Sequence, residues 1–478
     1  MNCGYLETVN KLRLALPAAV AAALVATSSA AAFTPTNTYY PKQWYLAQDQ
    51  AFGAWASVPV LNPVKVALID SGVECALPDF TRQIVASRSF VGGSPCRDTE
   101  GHGTIVAGEI AGALNEAGVV GLAYSSQLVV AKVVASDGTI PLKAEADAIR
   151  WAVQQGARVI NLSFGAVRDP DNPALDTYSK VEAQAVAYAV KHGAIVVAAV
   201  GNSDEAYATP WPYASWPAAL PHVIGVGALS QSGNVPDFSD QDPIFVDLAA
   251  PGVGIFSTFP KLLTGAQPSC VPQGYTDCAT GDYHRPEGTS FAAPQVSAAA
   301  AVLLGVNPAL TPSQVTAILE RNTDEVDAAS GCPACPTGRD KFSGWGSLDV
   351  AKAVAAASPG SPLPPSDHFE PNDSVPQAHR LRGPRPVVGA TLDYWDDQVD
   401  VYRVKLARGQ RLLARVRARP SVDLILRGGS KRKLAHAGRA GQKQHLSYRV
   451  RATGWYYVEV RIARAGAGRY TLRLEEAG

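Results

Sequence analysis

Ser290 stands in the run Glu287-Gly288-Thr289-Ser290-Phe291-Ala292-Ala293-Pro294, directly ahead of the small and apolar stretch Gln295 to Val306. That stretch reads as a buried helix. The serine therefore sits on a first turn, where backbone N–H groups point forward and the helix dipole is positive. A hydroxyl placed there suits the nucleophile of an acyl transfer, because a developing oxyanion is held beside it. Alone, the residue reads as a plain N-cap. To act as a nucleophile it needs a base, and the base needs a group to orient it.

Two other segments supply those types. Val64-Lys65-Val66-Ala67-Leu68-Ile69-Asp70-Ser71-Gly72-Val73 reads as a buried strand with Asp70 at its carboxyl end, the edge at which open α/β sheets build their sites. Gly101-His102-Gly103-Thr104-Ile105-Val106-Ala107-Gly108 places a histidine between two glycines at the start of a small-residue helix, so that other backbone can approach it closely. Singly, Asp70 reads as a turn residue and His102 as a loop histidine. Together they give an Asp, a His and a Ser in chain order, the three roles of nucleophile, proton carrier and orienter.

These motifs and their order resemble the subtilisin-like serine proteases, the subtilases, over roughly residues 37 to 355. The resemblance implies Asp70, His102 and Ser290 as a catalytic triad. A further buried strand, Ala194 to Val200, ends in Gly201-Asn202. The resemblance makes Asn202 the side-chain donor of an oxyanion hole, although an Asn after a strand is also a common turn residue. Val159-Ile160-Asn161-Leu162-Ser163-Phe164-Gly165 resembles the family's substrate-pairing segment. It implies that Ser163, Phe164 and Gly165 line a groove in which a peptide adds as an extra strand.

The sequence departs from the family at Leu77-Pro78-Asp79, at Phe291 and at Gln295, where His-Pro-Asp, Met and His are usual. The reaction implied requires no cofactor. The segment Ala113 to Gly121 matches a calcium loop of several relatives but is one residue short, which weakens the case for a structural calcium and leaves Asp79 and Glu116 to be read as surface carboxylates. About 38 residues separate Ala32 from Asp70, so no inhibitory pro-segment is expected between them.

The chain has 478 residues, 47% of them apolar, enough for two or three domains. Its formal net charge is zero, but residues 366–478 hold 22 Lys and Arg against 11 Asp and Glu, while residues 1–365 hold 20 against 31. An Arg-rich solvated face, a partner surface and attraction between the halves all agree with that asymmetry. Lys11 and Arg13, apolar Leu14 to Ala26 and then Ala30-Ala31-Ala32 read as an export signal, and no other stretch reads as a membrane span. Besides Cys3, six cysteines remain. Cys75 with Cys96, Cys270 with Cys278 and Cys332 with Cys335 close short local loops and are expected as disulfides; a zinc site at Cys332 and Cys335 is the competing reading.

The expected organisation is a signal peptide at 1–32, a peptidase domain at 33–357, a Pro- and Ser-rich linker at 358–366 and an all-β domain at 367–478. Strands and helices alternate between residues 60 and 355, which predicts an α/β fold with a mostly parallel sheet covered on both faces. Beyond the linker, short strands are expected at Val401–Leu406, Arg411–Val416, Leu424–Arg427, Tyr456–Ile462 and Tyr470–Leu474. Asp367 to Ser374 and Asp397 to Gln410 resemble the pre-peptidase C-terminal domain, a β-sandwich appended to secreted proteases. The whole reading is a secreted, extracellular endopeptidase. Its partners are protein or peptide substrates, with no nucleic acid, no membrane after signal cleavage, and a monomeric chain. A catalytically silent binding protein with a working basic β module is the rival from another class, and a processing enzyme for one partner is the rival within the class.

Overall fold

The structure is a computed structural model and describes residues 33–58, 61–203, 208–266, 274–276, 286–361, 369, 372–393, 397–430, 432–464 and 467–477. The expected signal peptide, most of the expected linker, and the expected pair Cys270 with Cys278 lie outside them. Seven strands run as β1 (Lys65–Asp70), β2 (Ile84–Ser89), β3 (Gln127–Lys132), β4 (Val159–Leu162), β5 (Ile195–Ala199), β6 (Val223–Leu229) and β7 (Leu248–Pro251). They form one sheet in the order β2-β3-β1-β4-β5-β6-β7, and every described pairing is parallel. Both faces are covered, as continuous apolar strands demand. Along β1, Val66 and Leu68 enter the core on one face, and Ala67 and Ile69 enter the core on the other.

The helices are α1 (Tyr45–Gln48), α2 (Ala51–Ser57), α3 (His102–Ala111), α4 (Leu142–Gln154), α5 (Lys180–Lys191), α6 (Lys261–Ala266), α7 (Thr289–Val306), α8 (Pro312–Arg321) and α9 (Val350–Ala357). Helices α2, α3, α7, α8 and α9 pack on the face of Val66 and Leu68, and α4 and α5 on the other. Helix α7 runs through the larger core. From Thr289 to Gly305 every residue except Ser290 is buried. It is the one described helix long and apolar enough to cross a membrane, and it is 89% buried in this core. Thr311 caps α8 in a full capping box with Gln314.

The sequence pattern misses β2 and β7. Strand β2 is a half-exposed edge with two serines and an arginine, and β7 is only four residues long, so neither presents a continuous apolar run. Asp79 corrects the surface reading. It is fully buried; its Oδ1 accepts the Val119 N–H at 2.8 Å and its Oδ2 the Tyr275 hydroxyl at 3.0 Å. Glu116 is exposed, as expected. The nearby loop is held by Asn37, whose Nδ2 lies 2.9, 2.6 and 2.8 Å from the carbonyls of Ala113, Ala117 and Val119. Disulfides join Cys75 to Cys96 and Cys332 to Cys335, leaving the latter pair unavailable to zinc. The first closes 21 residues around the end of β1 and restrains the unfolded chain by about 3 kcal/mol on a chain-entropy basis.

The C-terminal part is all β: β8 (His379–Arg380), β9 (Val387–Asp393), β10 (Val399–Leu406), β11 (Arg411–Arg427), β12 (Lys433–His436), β13 (Gly441–Arg449), β14 (Gly454–Ile462) and β15 (Ala467–Ala477). The two strands expected at 411–416 and 424–427 are one strand. The first half of β11 pairs with β13 and β15, and the second half with β12 and β14. Pro420 marks the change, where the register slips between Arg417 and Val422. A strand that changes partners at a bend folds one sheet over itself and closes a core. Val416, Leu424, Tyr402, Val458 and Leu472 from both halves meet in it. Among the described residues, ion-pair contacts tie this part to the first at His222, whose Nε2 lies 3.1 Å from Asp373, and at Arg321, 3.2 Å from Asp393. In both, the basic C-terminal part supplies the acid, so these contacts do not express the attraction that the net charges suggest.

Candidate active site

Strand β1 delivers Asp70 to the carboxyl edge of the sheet, where it is 2% exposed. Its Oδ1 and Oδ2 lie 2.8 and 3.0 Å from His102 Nδ1, and Oδ1 also accepts the Ser71 N–H at 2.7 Å. His102 opens α3, and both flanking glycines are required by contact. A Cβ on Gly103 would come within 2.1 Å of the Gly72 carbonyl, and one on Gly101 within 2.2 Å of the Phe259 ring. The start of α3 is fixed by Asp98, which sequence reasoning passed over. Its Oδ1 accepts from Ser71 Oγ and the Gly101 N–H, both at 2.9 Å; its Oδ2 accepts from the Thr104 N–H at 2.9 Å and hydroxyl at 2.7 Å. An acid just ahead of a helix is the cue that marks it.

Burial would lower the pKa of His102, but the charge and hydrogen bond of Asp70, helped by Asp98 and Glu100, outweigh it and the net shift is upward. The side chain is 31% exposed, toward the cleft. Its ring packs against Phe291 with centroids 5.2 Å apart.

Ser290 follows Thr289 on the first turn of α7. Asn202 lies just past β5, and its Oδ1 accepts from the Thr289 N–H at 3.0 Å and the Thr289 hydroxyl at 3.1 Å. A backbone N–H can only donate, so this contact fixes the amide and leaves Nδ2 to donate elsewhere. Gln295, one turn further along α7, is buried with Nε2 placed 3.0 Å from Glu109 on α3 and 2.8 Å from the Phe291 carbonyl. The helix of the histidine and the helix of the serine are thus tied together behind the site. Burial raises the Glu109 carboxyl well above its ordinary range.

Asp70, His102, Asn202 and Ser290 all line one cleft of about 530 Å³, together with Ser163, Phe164 and Gly165. Ser163 is buried and accepts from Asn161, which in turn accepts from Ser297 on α7. Just beyond, Ala166 and Trp216 exchange backbone hydrogen bonds of 2.8 and 2.9 Å, an isolated antiparallel bridge between two residues that also line the cleft. All seven residues singled out in the sequence are therefore brought together.

The sequence profile of the subtilase family, peptidase family S8, matches residues 62–346. The chain belongs to the subtilase family. Subtilisin DY of Bacillus licheniformis is 36% identical to it over 253 residues, 53% of this chain and 80% of that protein. Thermitase of Thermoactinomyces vulgaris is 31% identical over 297 residues, 62% of this chain and 93% of that protein. Among solved structures, a protease from Pseudoalteromonas arctica superposes with a TM-score of 0.55 at 25% identity, covering 68% of this chain and all of that one. This subtilase is accordingly a serine-type endopeptidase acting on protein or peptide substrates. Its seven-stranded sheet provides the frame, and its C-terminal β region lies beyond the part the family profile matches.

Proposed function

We propose that this subtilase cleaves peptide bonds through an acyl-enzyme on Ser290, with His102 as proton carrier and Asp70 as its orienter. The observation that carries the reading is the Asp70 carboxylate held 2.8 Å from His102 Nδ1 at the cleft that Ser290 lines. Asp70 keeps the hydrogen on Nδ1, which leaves the Nε2 lone pair for the serine hydroxyl. Ser290 Oγ attacks the substrate carbonyl as His102 takes its proton. The tetrahedral intermediate collapses, and His102 returns the proton to the departing amine. Water then attacks the ester by the reverse proton path and frees the acid.

Asn202 Nδ2 and the Ser290 backbone N–H are the proposed oxyanion donors. Asn202→Ala is expected to lower kcat by about 10²- to 10³-fold with little change in KM, because the donor acts on charge present only in the transition state. Steady-state kinetics on one peptide checks this, and an unchanged kcat removes Asn202 from the role. The substrate backbone pairs with Ser163 to Gly165 as an added strand.

Export fits the signal-like segment and the two disulfides, which persist in oxidising surroundings. We place the working enzyme outside the cell, as a monomer. The direct test is digestion of unfolded casein with cleavage sites mapped by mass spectrometry, alongside labelling by a serine-directed phosphonate. Multiple cuts and a label on Ser290 are expected. A label on another residue, or none, overturns the assignment.

A further inference from the structure

The same cleft contains two acids for which the proposed reaction has no use. Glu145, on the first turn of α4, and Glu182, on the first turn of α5, are 2% and 5% exposed, and both line the cleft. Their helices pack together on the sheet face opposite α3 and α7. The cleft thus crosses the carboxyl edge of the sheet, from the Asp70–His102–Ser290 side to the two glutamates. A substrate strand laid along Ser163 to Gly165 follows that edge, advancing about 3.3 Å per residue. One of its side chains, away from the bond to be cut, reaches the acids.

The pair is unusual in having no counter-charge. The two carboxyls act on each other across the contact of α4 and α5, no ion pair is formed by either among the described residues, and Glu145 Oε1 is buried with no hydrogen-bond partner. Burial raises both carboxyl pKa values, and Glu182 raises that of Glu145 further. Two acids turned on each other in an apolar site weaken a fold, and a purely structural role is better met by apolar side chains. Around them, Ile140, Leu142, Phe164 and Trp216 offer apolar walls suited to a long aliphatic stem.

We propose that Glu145 and Glu182 form a recognition pocket for a cationic substrate side chain, with arginine preferred over lysine, at a position remote from the scissile bond. The planar guanidinium matches two adjacent carboxyls with paired donors, where an ammonium offers a single point of charge. As the cation docks, the proton that burial keeps on the pair leaves to solvent through the open cleft, so that two carboxylates surround one guanidinium. This inference rests on the reading of the cleft as a peptidase site, and the test separates the two.

A set of quenched peptides built on a mapped casein site would carry arginine, lysine, or the neutral arginine isostere citrulline at each position in turn. Cleavage of the citrulline peptides tests the peptidase reading by itself. The pocket predicts that at one position kcat/KM is at least about tenfold higher for arginine than for citrulline, with lysine between. In Glu145→Gln/Glu182→Gln the ratio falls to near one. The inactive Ser290→Ala form provides the second measurement, since its Kd for the arginine and citrulline peptides should differ by the same factor whether or not the wild type cuts. Equal handling of arginine and citrulline at every position, in cleavage and in binding, overturns the pocket. So does an arginine preference that the double variant retains.

Discussion

Ser290→Ala is expected to lower kcat about a millionfold, the order of loss that follows when an acyl-transfer triad is left without its nucleophile. That factor corresponds to about 8 kcal/mol of transition-state stabilisation. The serine lies on the first turn of α7, and it alone between Thr289 and Gly305 escapes burial. Its removal should therefore leave the helix, the sheet and the disulfides untouched, and thermal unfolding should match the wild type. Peptide binding should also survive, because Ser163 to Gly165 and Trp216 are unaltered. The cleanest readout is a single-turnover assay with an ester substrate. Wild type gives a burst and a mass increment on the Ser290 peptide, while the variant gives neither. Turnover within about a hundredfold of wild type would show that another nucleophile operates.

What was legible in the sequence shares one property: it is written in neighbours along the chain. Asp70 stands out because five mostly apolar residues precede it and a turn follows. His102 is visible because both glycines that let Gly72 and Phe259 approach lie beside it. Thr311 announces α8 by a cap that needs only Gln314. What was not legible depends on residues distant in sequence. Asp79 looks like a surface acid until the Val119 N–H, 40 residues on, and Tyr275, 196 residues on, close over it. Glu145 and Glu182 look like acids at helix starts, favoured there by the dipole. Only the packing of α4 on α5 buries them together. Gln295 reads as a departure from a family motif, and its contact with Glu109, 186 residues away, gives it a place. Strand β11 reads as two because Pro420, which has no N–H for a ladder, falls in the middle of the run, yet the alternation of buried residues continues through it and the strand changes partners rather than ending.

Asp70→Asn is expected to cost about 10⁴-fold in kcat while leaving the site in shape, and to move the acid limb of the pH profile downward. Both effects follow from one contact. A carboxylate can only accept, so in the proposed mechanism the 2.8 Å contact holds the hydrogen on His102 Nδ1 and leaves the lone pair on Nε2. An asparagine that turns its NH₂ toward the ring demands a lone pair on Nδ1 and drives the hydrogen to Nε2, which takes away the lone pair that the proposed mechanism needs for the Ser290 proton. The sign of the pH effect is set by the same carboxylate. In the wild type, burial lowers the imidazole pKa and Asp70 outweighs it, so the net position is above the ordinary histidine value of 6.5. In the proposed role His102 acts as a base only when neutral, so the acid limb of kcat/KM is expected above that pH. The neutral amide removes the largest upward pull and leaves burial opposed only by Asp98 and Glu100. The imidazole then loses its proton at lower pH, and the residual activity of the variant persists further into acid. Measuring kcat/KM from pH about 5 to about 9 for both forms, with the His102 ring followed by NMR, tests magnitude and direction together. A limb that stays in place, or activity within about tenfold of wild type, would remove Asp70 from the role that its 2.8 Å contact assigns.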